Sequence, residues 1–223
     1  MSRAAIALCL VALAGCGGGR APAPDRPSAA ELVAAAAAGD TAAVRGLLRA
    51  GAEVDGRAGG GRTAVTAAAL GEHVDTVRAL IAAGADVDLQ DHQRNNPLLV
   101  CAENGNVALL GAVLRARPDL RATNRFGGTA LIPASDRGHV GVVRELLRTD
   151  IALDHVNRLG WTALLEAVIL GDGGRAHQRI VRMLVAAGAD VDLADRDGVT
   201  ALEHARRRGY TEIARVLEAA PTR

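Results

Sequence analysis

The sequence predicts an all-α repeat solenoid, a row of stacked helix pairs joined by short β-hairpin loops. Three observations predict it. The segments GRTAVTAAA, RNNPLLVCA, GGTALIPAS, GWTALLEAV and GVTALEHAR put Thr63, Asn96, Thr129, Thr162 and Thr200 in equivalent positions, at three steps of 33 residues and a last one of 38. A second register agrees, because GAEVD, GADVD and GADVD recur with Gly51, Gly84 and Gly188 at their heads. Composition fits as well. Apolar residues make up 49% of the chain and aromatic residues 1%, so the core must come from Ala, Leu, Val and Ile on closely packed helices.

Each part of the unit has a local cause. The Thr or Asn is suited to cap a helix, its side-chain oxygen accepting from an otherwise unpaired N–H. In the second unit Pro97 follows at the first helical position, where its missing N–H costs nothing. Small residues such as Ala67 and Ala68, or Cys101 and Ala102, then face inward. After a Gly or Asn turn a second helix repeats apolar residues at helical spacing, as in Val77, Leu80 and Ile81 or Val143, Leu146 and Leu147. Gly84 and Gly188 supply the left-handed conformation that closes such a helix. A short extended stretch with Asp and Gly returns the chain to the next Thr. Arg117 and Asp150 stand where the closing Gly belongs, at a left-handed cost of about 1 kcal/mol or less, so those units should be the less regular ones. Arg94 likewise replaces a hairpin Gly.

One helix pair exposes an apolar face, so the units must stack and share a core. The pattern resembles the ankyrin repeat, whose consensus carries D-x-x-G-x-T-P-L-H-x-A-A and later L-L-x-x-G-A-D-V-N. The nearest copy is Asp195-Arg196-Asp197-Gly198-Val199-Thr200-Ala201-Leu202-Glu203-His204-Ala205. The resemblance implies an ankyrin-repeat domain over residues 29–223. It comprises an N-capping unit at 29–57, repeats at about 58–90, 91–123, 124–156 and 157–194, and a C-capping repeat at 195–223. The five extra residues fall in GDGGRAHQR, expected to protrude as an inserted loop at 171–179.

Residues 1–15 read as a targeting segment: Arg3, an apolar stretch from Ala4 to Ala14, then small residues. That stretch is too short to span a bilayer core, which takes about 20 helical residues. Leu13-Ala14-Gly15-Cys16 resembles the lipobox of bacterial lipoproteins, which implies cleavage before Cys16 and a lipid on its sulfur. Cys9 would leave with the signal and Cys16 would carry lipid, so Cys101 has no partner for a disulfide. Gly17, where an Asp would resemble an inner-membrane retention signal, favours the outer membrane, with the protein facing the periplasm. Residues 16–28 form a Gly/Pro-rich tether. The formal net charge of +1 falls to about zero once Arg3 is removed, which gives no reason to expect nucleic acid as a partner.

The chemistry of a catalyst is sparse. Ser135, Asp136 and His139 have the composition of a triad, but they sit at the end of an inner helix and its turn, a poor geometry, so a hydrolase built on Ser135 and His139 is a distant alternative. No Lys exists to reach a nucleotide phosphate, no HExxH or paired-cysteine spacing suggests zinc, and no cofactor is implied. Asp190, Asp192, Asp195 and Asp197 are explained by hairpin turns better than by calcium. His73 and His139 match the helix-start His of the ankyrin consensus and read as capping residues. Cys101 fills an alanine slot as a buried thiol.

The resemblance therefore implies a non-enzymatic, monomeric protein-binding module, attached to the membrane through lipid alone. Ankyrin-like arrays meet partners on hairpin tips and on the exposed face of the inner helices. By position these are His92 and Gln93, Arg125 and Phe126, Arg158 and Leu159, and Arg196 and Asp197 at the tips. On the inner helices they are Leu70 and Gly71, Glu103 and Asn104, Asp136 and Arg137, Ile169 and Leu170, and Arg207 and Arg208. Phe126 is an attractive anchor, and Arg125, Arg158 and Arg196 form a ladder with Arg137 and Arg208 behind it, which points to a partner with an acidic patch. Trp161 is either part of that surface or packed across adjacent hairpins, and the Arg ladder is alternatively a solvated face. A more specific version is an inhibitor or immunity-type protein for one envelope enzyme or toxin.

Overall fold

The structure is a computed structural model that describes residues 26–221. The signal segment, Cys16 and most of the tether lie outside the described residues.

Among the described residues twelve α-helices fall into two rows. The inner row is α1 (Ala29–Ala37), α3 (Ala64–Leu70), α5 (Pro97–Asn104), α7 (Leu131–Asp136), α9 (Ala163–Ile169) and α11 (Ala201–Arg207). The outer row is α2 (Thr41–Arg49), α4 (Val74–Ala82), α6 (Val107–Arg115), α8 (Val140–Leu146), α10 (Arg175–Ala186) and α12 (Thr211–Glu218). Each helix packs on its pair mate and on its row neighbours, so the buried side chains form one continuous core from Leu32 to Leu217. Small inner faces permit this approach: Ala64, Ala68 and Ala69 in α3 are fully buried, as are Cys101 and Ala102 in α5.

Four of the five expected caps form. Thr63, Asn96, Thr162 and Thr200 accept from the N–H of Thr66, Leu99, Leu165 and Glu203 at 3.5, 3.0, 3.2 and 3.3 Å. Thr129 does not. Helix α7 starts at Leu131, the Thr129 hydroxyl is buried without a hydrogen-bond partner, and the Thr129 carbonyl accepts from Ile132 N–H at 3.1 Å. Pro133 is the cause, since it has no N–H to offer that carbonyl and the first turn closes one residue early.

Helix closure follows the expected glycines with one correction. Gly84 (φ 90°) and Gly188 (φ 93°) are left-handed, and the residues after them bond back to Leu80 and Leu184. Arg117 takes the same region at φ 56°, and Pro118 after it has no N–H for the second closing bond. Asp150 avoids the left-handed region. There the chain leaves α8 through tight turns, with Thr149 N–H and hydroxyl both donating to the Leu146 carbonyl.

The hairpin loops are tight turns with only isolated bridges, Ala58 to Arg62 and Ala194 to Thr200, and no strand among the described residues. Their rigidity comes from Asp91, Asn124, Asn157 and Asp195. Each side chain accepts from the N–H groups two and four residues on, at 2.8–3.0 Å. These bonds occupy Asp195 as the hairpin reading requires, while Asp190 accepts from Asp192 N–H.

The insertion is not a protruding loop over 171–179. Residues from Arg175 onward lengthen α10 to 12 residues, and only a short turn stands out. The buried His177 holds it down, bonding the Asp136 carbonyl and the Asp172 carboxylate, each at 2.8 Å.

His177 belongs to a series. His73 and His139 occupy helix-start positions yet cap nothing with their side chains; Nε2 of each donates to the preceding inner helix, at Ala37 and Glu103 carbonyls 3.0 and 2.9 Å away. Tyr210 does the same to Gly171 through its hydroxyl at 2.9 Å. The expectation of capping histidines is thus corrected to one of donors that join successive units.

Candidate functional site

A groove of about 310 Å³ runs between the hairpin tips and the inner helices of the central units. Its rim is Arg125, Phe126 and Leu159 at two tips; its floor is Glu103 on α5, Pro133 and Asp136 on α7 with Arg137 just after it, and Glu166 on α9 with Leu170 just after it. The stacking that aligns equivalent positions of successive units brings these side chains together.

Exposed apolar residues gather there. Phe126, Leu159 and Leu170 are 49%, 44% and 51% exposed, in a protein that buries most of its other large apolar side chains. The Arg125 guanidinium lies over the Phe126 ring, 4.9 Å from its centre, which fixes the ring at the rim.

The floor is charged. Arg137 pairs with Glu103 and lies 3.6 Å from the Asp136 carboxylate. Glu166 is only 6% exposed, and its Oε1 accepts from the Asn157 side-chain amide at 2.6 Å. Burial pushes the Glu166 carboxyl up to about 7; the charge of Asp136 adds to the shift and the Asn157 bond opposes it. Burial also raises Asp136, against the pull of Arg137.

The expected surface residues divide. Arg125, Phe126, Arg137 and Leu159 line the groove. Arg137 is not the free cation expected of it, because α7 ends where its guanidinium meets two carboxylates. In the ladder, Arg158 donates to the Arg125 carbonyl at 3.2 Å, and Arg196 donates to the Arg158 carbonyl. The ladder therefore stitches tips together, while its side chains stay at the surface. Arg208 lies outside the groove, 6.0 Å over the Tyr210 ring. Trp161 is half-buried against the core and does not line the groove. Glu166 went unnoticed in the sequence; its signal is an acid at the position held by Ala67, Val100 and Pro133 in earlier units.

The residues with catalytic composition are not brought together. Ser135 is fully buried and donates to the Leu131 carbonyl at 2.7 Å, while His139 is engaged with Glu103. Burial pushes the Cys101 thiol up to about 12, so it stays protonated. Among the described residues no cluster of His, Cys, Asp or Glu is arranged to hold a metal ion, and no helix is long and apolar enough to cross a membrane.

The family model described as ankyrin repeats (3 copies) matches residues 32–124 and 98–195. An ankyrin repeat domain from Acinetobacter baumannii AYE shares 44% identity with a TM-score of 0.83, covering 86% of this chain and 98% of that one. EF0377, an ankyrin repeat protein, shares 36% identity with a TM-score of 0.84, covering 87% of this chain and 100% of its own. YahD of Escherichia coli strain K12, named as an ankyrin repeat protein, is 51% identical over 55 residues, which span 25% of this chain and only 27% of YahD. With the repeat spacing, the two helix rows and a family match that reaches from residue 32 to 195, the chain belongs to the ankyrin-repeat family.

Proposed function

We propose that this ankyrin-repeat interaction module is not an enzyme, and that it receives one partner protein in the groove between its hairpin tips and inner helices. One observation carries the reading: Phe126, Leu159 and Leu170 are exposed together along a groove, and Arg125 braces the ring. Aromatic and Arg side chains set around a concavity are what dominates protein interfaces. The tip arginines Arg125, Arg158 and Arg196 lie at the surface on the same side and suit an acidic patch beside the docked segment. The lipobox resemblance supports a lipid on Cys16 that holds the module at a bacterial membrane, facing the periplasm.

A photo-crosslinking residue placed at Phe126 or Leu159 in intact cells tests the reading. The same adduct is expected from both positions and not from Val107, which is 42% exposed on the outer helix α6. An adduct from Val107 alone would place the interface on the other row of helices. If the attached protein is a hydrolase or toxin, loss of its activity on binding would identify the chain as its dedicated inhibitor. Membrane fractionation of a Cys16→Ser variant tests the anchor; retention of the variant with the membrane would overturn it.

A further inference from the structure

We propose that the groove is built to receive one arginine side chain of the partner, its guanidinium seated against Glu166 and Asp136 and its aliphatic stem lying along Phe126, Leu159 and Leu170. This rests on the reading of the groove as the interface.

The first argument is Glu166 itself. The residue is 6% exposed and lines the groove, Oε1 is taken by Asn157, and Oε2 has no hydrogen-bond donor among the described residues. Oε2 is not a fully buried atom and opens to the groove, so a ligand that carries a charged donor can reach it and make a charge-assisted bond there.

The second argument compares units. His204 occupies in the last unit the position Glu166 holds in the one before, and Asp195 matches Asn157. In the last unit the tip carboxylate and the helix imidazole meet at 2.7 Å, so acid and base satisfy each other. In Glu166's unit the tip offers a neutral amide instead. The negative charge there is solvated by a dipole but not balanced by a cation.

Charge counting around the floor gives the sign and the number. The groups that face Glu166 or its neighbour Asp136 are Glu103 from α5, Asp136 from α7 and Arg137 just after it, His139 at the start of α8, His177 from α10 and Arg125 at the tip. Arg137 is already engaged by Glu103 and Asp136, and Arg125 is stacked on Phe126. With Glu166 ionised, the groove lining itself holds three carboxylates and two arginines, one positive charge short; His139 and His177 stand outside the lining, bonded to backbone carbonyls. A guanidinium suits it better than an ammonium, because it is more weakly hydrated and its planar fork reaches two carboxylates at once. The methylene stem matches the wall, since long basic side chains cover apolar surface while their heads reach polar groups.

Cation entry would also change the ionisation of the floor. A guanidinium favours the charged forms of Glu166 and Asp136, both held high by burial, so seating it expels a proton. Affinity therefore rises with pH through the region near 7.

The probe that tests this is butylguanidinium, a guanidinium on a four-carbon stem, against the neutral isostere N-butylurea. The readout is the side-chain amide resonance of Asn157, which is bonded to Glu166. Butylguanidinium should shift it saturably at pH 8, about tenfold more weakly at pH 5.5, while N-butylurea leaves it in place. Glu166→Gln should abolish the saturable shift, and Asp136→Asn, at the half-exposed end of α7, should weaken it. Equal response to both probes, or titration of both variants like the unaltered protein, overturns the proposal. The outcome is separable from that of the interface reading. Crosslinks at Phe126 without a guanidinium response sink the arginine site alone, and a guanidinium response without those crosslinks sinks the interface reading alone.

Discussion

Replacing Glu166 by Gln should make the protein more stable, by an amount that grows from about pH 4.5 and is complete above about pH 7. In the unfolded chain the carboxyl titrates at its ordinary 4.5, and in the folded protein at about 7. Below 4.5 it carries its proton in both states and has no pH-dependent effect. Between the two values the unfolded chain ionises while the folded one holds its proton, so stability falls as pH rises, then levels off above 7. At about 1.4 kcal/mol per unit, the full penalty is about 3 kcal/mol. Water in the open groove screens part of it, so about 2 kcal/mol is a fair expectation at pH 8 and under about 1 kcal/mol at pH 5. Gln keeps an oxygen for the Asn157 amide and carries no charge to desolvate. Urea unfolding followed by Trp161 fluorescence is the assay, because the single Trp lies in the same unit as Glu166. The parent should lose stability from pH 5 to pH 8 relative to the variant. A variant that is equally less stable at both values would show that the carboxylate contributes a native interaction, and the reasoning from desolvation would fail.

Two further substitutions probe the scaffold. Thr162→Val removes a cap and should cost about 1 kcal/mol, whereas Thr129→Val removes a buried hydroxyl with no partner and should be neutral or stabilising, as read by denaturant midpoints. Equal losses from the two would contradict the absence of a cap on α7. Arg117→Gly should relieve a left-handed backbone at φ 56° and add up to about 1 kcal/mol, seen as a higher unfolding temperature; a lower one would refute the strain.

The scaffold was legible in the chain because its causes are local. The spacing of Thr63, Asn96, Thr129, Thr162 and Thr200 marks each unit, and Gly84 and Gly188 mark helix ends, through conformational preferences that neighbouring residues supply. Thr129 defeated the pattern because the deciding residue is Pro133, four positions on, which a cap motif does not include. Asp150 did so because a chain with Thr149 available to bond Leu146 has a cheaper exit than the left-handed one. The insertion misled because length alone does not say whether extra residues join a helix; the carbonyl of Asp136, distant in sequence, decides that by engaging His177. The same holds for the groove. Phe126 and Leu159 were visible as tip residues, but the carboxylates of Glu103, Asp136 and Glu166 become one floor only when α5, α7 and α9 stack. Arg137, Arg158 and Arg196 looked like free cations because their acceptors belong to other parts of the chain.

The donors His73, His139, His177 and Tyr210 all point one way, each donating a hydrogen bond to a carbonyl that precedes it in the chain. During synthesis the chain emerges amino end first. Every acceptor has therefore emerged before its donor leaves the ribosome, and water satisfies that carbonyl while it waits. Growth in the opposite direction would leave each donor without its acceptor until the next unit arrived. The array is polar in time as well as in space, and shortening it from its carboxyl end should leave a soluble remainder more readily than shortening it from the other.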